Sequence, residues 1–334
     1  MTPSLTLCRG GIGAEPILHF LLLGLLNETG VLPDGSIVDA GSNDGFEACK
    51  WASAAPRRTV HAIDSASYIR MVRSRYTDIA YPLSNLQTTV AALGAEAGEI
   101  LVRDTWLGRT HEQPRVSTTN GSGSRAGGPR RRPLLQQNLT RLPVMRLDDL
   151  FRAERLALAH LDVEGAELDV LRGGRRVLHR DRPVVVVEVH VHARPLETRA
   201  LLAEVERLGY AAHAIEEVTG KFLDALNLLL LPRERTPAFQ QSPTLHVARQ
   251  HGRLTAVDSE SIFDRGHRSC CTWGGECCDS HPRRQSVPRI EPKVQGRPGY
   301  DTFPRYMECC KPHVLAAWLI RKHGGYTPWA VVDA

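Results

Sequence analysis

The stretch that decides the fold is Ile37-Val38-Asp39-Ala40-Gly41-Ser42-Asn43-Asp44-Gly45. It begins with β-branched residues, reaches an acid and a glycine turn, and then enters a helical pattern. This order predicts a buried strand, a tight turn and a helix, the first unit of a sheet that binds ligands beyond the carboxyl ends of its strands. A second stretch, His160-Leu161-Asp162-Val163-Glu164-Gly165-Ala166-Glu167, predicts another strand that runs into an acidic turn at the same edge.

Strand and helix patterns alternate from residue 36 to residue 231. This alternation predicts an α/β fold with a doubly wound, mostly parallel sheet of the Rossmann type. Residues 183–190 are nearly all valine, which is typical of a strand buried on both faces. Residues 211–215 and 227–231 are expected to close the sheet as an antiparallel pair. Residues 15–27 predict a covering helix, and no apolar run approaches the roughly 20 residues of a membrane span.

The composition divides the chain of 334 residues into three parts. We predict an N-terminal helical segment over residues 1–35, a cofactor-binding domain over 36–232, and a small cysteine-rich C-terminal module over 233–334. A basic insertion over 109–133 interrupts the domain, and its six arginines and one acid account for the whole net charge of +5. Because the basic charge is confined to one loop, it argues against a nucleic-acid partner.

The glycine turn and the acid of the next strand predict a cofactor site. Asp39 is expected to accept a hydrogen bond from a cationic amine, while Gly41 allows close backbone approach and Gly45 opens a helix whose N-terminus favours a carboxylate. This combination suits the methionine part of S-adenosylmethionine, although a purely structural turn would look similar. Asp64 ends the second strand, where an acid holds ribose hydroxyls. The spacing Gly41-x-x-x-Gly45 differs from the dinucleotide pattern, so an NAD(P)-dependent oxidoreductase is the less favoured alternative.

Side chains alternate along a strand, so two polar rows are predicted at the carboxyl edge. The rows consist of His160, Asp162 and Glu164 on one strand and Glu188, His190 and His192 on the next. His190 or Glu164 could remove a proton from an acceptor hydroxyl. Alternatively, Asp162 and Glu164 could hold a divalent cation that lowers the pKa of the acceptor. In a third interpretation, Glu188 and Asp162 cap helices or pair with Arg172. His160 and His192 are expected to be structural.

Together these stretches resemble the FkbM-type family of S-adenosylmethionine-dependent methyltransferases. The residues that carry the resemblance are 38–45, 147–150, 161–167, 170–174 and 182–188. It implies a class I methyltransferase fold, O-methylation of a hydroxyl on a sugar, glycan or secondary metabolite, and hence a small-molecule or glycan acceptor. By position it also implies the cofactor-binding residues Asp39, Gly41, Asn43, Gly45 and Asp64.

The chain departs from the family pattern in places. Ser42 stands where the family usually has Ala, and Asp64-Ser65 where it usually has Glu-Pro. The basic insertion and the cysteine-rich module are not part of the pattern either. A non-catalytic binding protein with a methyltransferase fold therefore stays open as an alternative.

The C-terminal module contains six of the eight cysteines, as the adjacent pairs 270–271, 277–278 and 309–310. An even number in a segment with few apolar residues favours disulfides between the pairs, whereas Cys310-x-x-His313 offers two ligands to a metal. Disulfides would imply a secretory or lumenal protein, and reduced thiols a cytoplasmic one. Three triplets fit the N-glycosylation pattern, namely Asn27-Glu28-Thr29, Asn120-Gly121-Ser122 and Asn138-Leu139-Thr140.

Overall fold

The computed structural model describes residue 8 and residues 15–79, 82–103, 139–191, 194–217 and 225–263. The first part of the fold alternates as the sequence predicts. Its elements are α1 (Pro16–Asn27), β1 (Ser36–Ala40), α2 (Phe46–Ala54), β2 (Val60–Asp64), α3 (Ala66–Val72), a π-helical turn (Arg73–Thr77) and β3 (Leu86–Val90). Every residue of β1 is buried, which accounts for the run of apolar and β-branched residues at the centre of the sheet.

A small second sheet follows β3. Its strands are β4 (Ala92–Leu93), β5 (Gly98–Arg103) and β6 (Leu139–Met145). β6 lies in the middle, parallel to β4 and antiparallel to β5. The predicted basic insertion, residues 109–133, falls between β5 and β6 and outside the described residues.

The chain then returns to the main sheet. The elements are α4 (Leu147–Leu150), β7 (Leu156–Leu161), α5 (Glu167–Gly173), α6 (Arg175–Asp181), β8 (Val184–His190), α7 (Pro195–Arg207), β9 (Tyr210–Ile215) and β10 (Ala225–Pro232). A 3₁₀ turn (Arg233–Arg235), α8 (Thr236–Gln241), α9 (Pro243–Gln250) and β11 (Leu254–Val257) complete the described chain.

The main sheet has eight strands in the order β11-β9-β10-β8-β7-β1-β2-β3. The five strands from β8 to β3 are parallel, and β10 runs antiparallel to both β8 and β9. This arrangement confirms the mostly parallel α/β sheet and its antiparallel closing pair. The carboxyl ends of β1, β2, β7 and β8 therefore meet at one edge.

Residues 233–263 differ from the expectation of a separate module that begins at residue 233. β11 extends the main sheet, with Leu254 opposite Ile215. α9 packs on α1 so closely that a Cβ on Gly24 would lie 2.3 Å from Thr244 Oγ1. β11 and β9, which pair in antiparallel fashion, are about 40 residues apart along the sequence, and local sequence patterns do not reveal such a pairing. The cysteines from 270 to 310 lie outside the described residues, so their pairing stays a prediction.

Apolar side chains fill both faces of the sheet. One cluster joins α1, α2 and α9 to one face, and the other joins α4 to α7 to the opposite face. Within the described part of the chain, no helix has the length and apolar content needed to cross a bilayer.

Candidate functional site

The glycine loop between β1 and α2 lies at the carboxyl edge and is held by backbone contacts. Gly41 N and Ser42 N donate to Ile63 O at 2.9 and 3.2 Å, and Gly45 N donates to Ser42 O at 2.7 Å. Gly41 has a φ of +81°, and a Cβ there would lie 1.7 Å from the carbonyl oxygen of Asp162. Only glycine fits this conformation and this close approach.

The rest of the loop is also constrained. Gly45 has a φ of +77°, and a Cβ there would lie 2.8 Å from the side chain of Val72. Asn43 adopts a left-handed conformation with a φ of 48°, and Asp44 Oδ1 accepts a 3.2 Å hydrogen bond from Phe46 N at the start of α2. The loop is therefore a fixed turn, and its conformation suits a site that binds a ligand without rearranging.

Asp64 anchors this loop from the end of β2. Its Oδ2 accepts a 2.8 Å hydrogen bond from Asn43 N, and its Oδ1 accepts a 2.6 Å bond from Ser65 N. Burial raises the pKa of Asp64, although the two backbone donors oppose this. Each carboxylate oxygen has a second lone pair, so these bonds are compatible with the expected ribose contact, which stays a prediction.

Asp39 has a partner that the sequence analysis did not assign. It lies opposite His160 on the neighbouring strand, and His160 Nδ1 donates to Asp39 Oδ1 at 2.9 Å. Both are buried, with 1% of Asp39 and 5% of His160 exposed, and Trp51 packs edge-on against the imidazole at 5.4 Å. The structure therefore supports a structural role for His160, and the expected contact between Asp39 and a cofactor amine stays a prediction.

Burial and the hydrogen bond shift the pKa of each member of this pair in opposite directions. Burial raises the pKa of Asp39, although the hydrogen bond from His160 opposes the shift. For His160, burial lowers the pKa, but the hydrogen bond and charge of Asp39 outweigh it and raise the pKa to about 9. With its pKa at about 9, His160 is protonated at neutral pH, and its charge favours the ionised form of Asp39.

Asp162 and Glu188 form an acidic cluster with Glu15 at the same edge. Burial raises the pKa of Asp162; the charge of His160 lowers it, and Glu164 and Glu15 raise it further. Burial likewise raises the pKa of Glu188, and the charges of Asp162 and Glu15 add to the effect. No arginine or lysine of the described residues forms an ion pair with Asp162 or Glu188, so their charges are poorly balanced. Arg172, the suggested partner, pairs instead with Asp169 at 3.2 Å.

His190 lies between two of the predicted catalytic carboxylates. Its Nε2 is 3.5 Å from Glu188 Oε1 and 3.9 Å from Glu164 Oε2. β7 ends at Leu161, so strand alternation does not position Glu164. Instead, Glu164 lies in the following turn in a left-handed conformation with a φ of 54°. The structure thus brings these three predicted residues together, whereas His192 lies outside the described residues.

Sequence comparison assigns the family. A profile of the methyltransferase FkbM domain matches residues 39–212, slightly more than half of the chain. The chain belongs to the FkbM methyltransferase family. The match includes the glycine loop, Asp64 and both acidic strand ends, and it confirms the resemblance seen in the sequence. A comparison with curated proteins gives no match.

Solved structures give weaker likenesses. The methyltransferase FkbM from Methylobacillus flagellatus KT is 18% identical with a TM-score of 0.39, over 68% of this chain and 58% of that one. Fibrillarin from Aeropyrum pernix, with natively bound S-adenosyl-L-methionine, is 12% identical with a TM-score of 0.38, over 65% and 76% of the two chains. Precorrin-6y C5,15-methyltransferase from Geobacter metallireducens GS-15 is 11% identical with a TM-score of 0.34, over 64% and 86%. Family membership therefore rests on the sequence profile, and the match spans less than two thirds of the Methylobacillus chain.

Three polar residues of this FkbM-family site were not predicted. Glu167 Oε1 accepts hydrogen bonds from Val163 N at 3.1 Å and Gly165 N at 3.0 Å, and so it holds the turn that carries Glu164. Asn227 lies opposite Glu188 on β10, and its Nδ2 donates to Glu15 Oε1 at 2.7 Å. A lone polar residue in the apolar strand 225–232 was the available signal for Asn227. Glu15 precedes α1, far from the motifs in sequence, and only the fold brings it to the edge.

The alternative of a bound divalent cation has no ready ligand set among the described residues. Within the described ranges, no group of three or more His, Cys, Asp or Glu side chains has an arrangement that could hold a metal ion. Asp162 and Glu164 were the proposed ligands, and Glu164 turns toward His190.

Proposed function

We propose that this chain transfers the methyl group of S-adenosylmethionine to a hydroxyl of a sugar, glycan or secondary metabolite. The observation that carries the proposal is a closely held glycine loop beside two half-buried carboxylates, Asp162 and Glu188. No arginine or lysine of the described residues forms an ion pair with either of them. Such carboxylates favour a cationic ligand, because a positive charge relieves their mutual repulsion. S-adenosylmethionine has a net positive charge, whereas NAD(P) is anionic.

The residues present fit this cofactor. The loop 41–45, with a left-handed backbone at Gly41, Asn43 and Gly45, allows a ligand to approach the backbone. The N-terminus of α2 favours the carboxylate of the methionine part. Asp64 is available for the ribose hydroxyls, and Asp162 and Glu188 would surround the sulfonium and ammonium groups with negative charge. When bound, S-adenosylmethionine supplies an activated methyl group, so the protein needs only to align the acceptor oxygen and take its proton.

His190 is the favoured base. In the reaction the acceptor O–H bond breaks, an O–CH₃ bond forms, and the proton passes to the imidazole. Glu188 and Glu164, within 4 Å of His190 Nε2, would then stabilise the imidazolium by their charge. We expect His190→Ala and Glu164→Gln to lower turnover more than cofactor affinity, because both residues belong to the acceptor side of the site. Loss of activity on chelation, restored by magnesium or manganese, would favour the metal alternative instead.

Calorimetry tests the proposal through the charge of the ligand. S-adenosylmethionine and S-adenosylhomocysteine differ by the methyl group and the positive charge of the sulfonium. Titrations in buffers of different ionisation enthalpy count the protons released on binding. We expect S-adenosylmethionine to release more protons at neutral pH, because its charge lowers the pKa values of Asp162 and Glu188.

The Glu188→Gln variant is the matched control, since it removes one titrating group without changing the size of the side chain. It should reduce the difference between the two ligands. Equal proton release by both ligands would contradict a cation site at these carboxylates. Binding of NADH without binding of S-adenosylhomocysteine would replace the proposal with the oxidoreductase alternative. Binding without turnover on any hydroxyl acceptor would favour a non-catalytic binding protein.

A further inference from the structure

A disulfide joins the N-terminal segment to α2, and methyl transfer does not explain it. Cys8 and Cys49 are bonded, with their Cα atoms 5.9 Å apart, a separation typical of disulfides. Cys49 is fully buried. Disulfides of this structural kind persist in oxidising compartments and are rare where glutathione keeps thiols reduced.

A second, independent feature points to the same compartment. Asn27-Glu28-Thr29 forms a glycosylation triplet at the end of α1, and both Asn27 and Thr29 are exposed. The backbone of Glu28 is extended, with φ −86° and ψ 128°. The side chains of Asn27 and Thr29 therefore lie on one side of the chain, and the side chain of Glu28 lies on the opposite side. Glu28 Oε1 accepts hydrogen bonds from the backbone N, at 2.8 Å, and the hydroxyl of Thr244. The middle residue is thus anchored inward while Asn27 and Thr29 face solvent.

The space around Asn27 suits a bulky modification. Asn27 and Thr29 line a surface cleft of about 460 Å³. Asn27 Nδ2 donates to Leu23 O at 2.7 Å, and an amide nitrogen has two hydrogens. Replacing the other hydrogen with a sugar therefore leaves this bond intact and requires no change in the helix.

We propose that this chain is a secretory-pathway protein with an N-linked glycan on Asn27 and a disulfide between Cys8 and Cys49. In the first step, a bond forms between Asn27 Nδ2 and C1 of a sugar carried on a lipid diphosphate. The sugar–phosphate bond breaks, the lipid diphosphate leaves, and one amide proton is lost. In the second, two thiols lose two electrons and two protons to a protein disulfide, which is reduced to a dithiol.

The glycan would lie away from the proposed cofactor site. α1 has 12 residues and so is about 18 Å long. Its first turn lies beside Glu15 at the acidic edge, and Asn27 ends it at the opposite edge of the sheet. The modification is therefore compatible with ligand binding, and it does not depend on the proposed function.

Peptide mapping tests both modifications in one fragment. The full-length chain, tagged and expressed in its own organism, is treated with a thiol-blocking reagent, denatured and digested with trypsin without reduction. Trypsin cleaves after Lys and Arg, and no residue of either kind lies between Arg9 and Lys50, so Asn27 and Cys49 fall in the peptide 10–50. We expect this peptide to be joined to the one that ends at Arg9, and peptide-N-glycosidase F to release a glycan and leave aspartate at position 27.

Two variants of Thr29 provide matched controls that leave Asn27 in place. Thr29→Ser keeps the triplet and should keep the glycosidase-sensitive glycan on peptide 10–50, whereas Thr29→Ala destroys the triplet and should leave that peptide without a glycan. Both variants should bind S-adenosylhomocysteine as the unaltered chain does. An unmodified Asn27 in the unaltered chain, or blocked thiols at Cys8 and Cys49, overturns the proposal.

Discussion

Asp39→Ala should destabilise the protein strongly. The substitution leaves His160 buried beneath Trp51 without its hydrogen-bond partner. Breaking a buried pair by removing one member costs about 3–5 kcal/mol, a large share of the roughly 5–15 kcal/mol that stabilises a domain. At about 2–4 °C per kcal/mol for a domain of this size, the melting temperature should fall by roughly 6–20 °C. Loss of cofactor binding in this variant would therefore not by itself identify Asp39 as a ligand contact.

The double variant Asp39→Ala, His160→Ala separates pairing from packing. Removing both partners eliminates the uncompensated buried group, so the double variant should be less destabilised than the sum of the single variants. We expect a coupling energy of about 2–3 kcal/mol, near the top of the range for residues in direct contact. Urea denaturation of the four proteins, followed by circular dichroism, measures this coupling.

The pH dependence provides a second measurement of the same pair. The pKa of His160 rises from its ordinary 6.5 to about 9 in the folded protein. A raised pKa contributes stability that is fully present below pH 6.5 and is lost as the pH rises through about 9. A rise of this size corresponds to about 3 kcal/mol. Other buried acids contribute a similar loss to all four proteins. The difference between the unaltered protein and the double variant therefore contains only the titrations of His160 and Asp39, and the raised pKa of Asp39 adds a loss of stability as the pH rises above its ordinary 3.8.

The outcome that would refute this reasoning is specific. If the free energy of unfolding of Asp39→Ala lies within about 0.5 kcal/mol of that of the unaltered protein, as is usual for a surface substitution, the pair contributes little to stability. If that variant also fails to bind S-adenosylhomocysteine, Asp39 faces the cofactor, as the sequence predicts, and its bond to His160 is incidental.

Three further predictions concern the glycine loop, the segment after residue 231 and the basic insertion. Gly41→Ala should abolish binding of S-adenosylhomocysteine, because a Cβ there meets a carbonyl oxygen at 1.7 Å, whereas Gly30→Ala, with a similar φ of +79° and nothing within 4 Å, should retain it; calorimetry compares the two. Truncation after Leu231 should give protein without a cooperative melting transition, since it removes α9 and β11, whereas truncation after Phe263 should keep the transition. Deletion of residues 115–131 should leave the melting temperature unchanged, because β5 and β6 already pair up to the insertion; a large fall would show that it packs as structure.

The presence of the central strands could be predicted because each carries a local signal. The valine run of β8 and the acid-and-glycine ending of β1 both identify buried parallel strands without knowledge of their neighbours. α1 was similarly accessible from its apolar run, and the structure places it within one residue of the expected bounds. These elements are strongly apolar along their length, so their local pattern and their buried position agree.

The features that sequence analysis missed depend on contacts between distant segments. The bond between Asp39 and His160 requires the register of β1 against β7, which no pattern within either strand specifies. The disulfide joins Cys8 and Cys49, which are 41 positions apart, and neither cysteine belongs to an adjacent pair that would mark it in the sequence. α5 and α6 are separate helices of seven residues each, too short for a clear amphipathic signal.

Residues outside the matched family domain contribute contacts and charge at the carboxyl edge of the main sheet, where the proposed site lies. Glu217 accepts hydrogen bonds from Ile17 N at 3.0 Å and Leu18 N at 2.7 Å, and so it fixes the start of α1. Burial raises the pKa of Glu217 to about 8, so this contact adds little negative charge at neutral pH. Glu15, which directly precedes α1, does act on Asp162 and Glu188. Because Glu15 sets part of the charge at the edge and Glu217 holds the start of the helix that follows Glu15, substitutions at either residue can alter ligand binding while leaving every residue of the glycine loop unchanged.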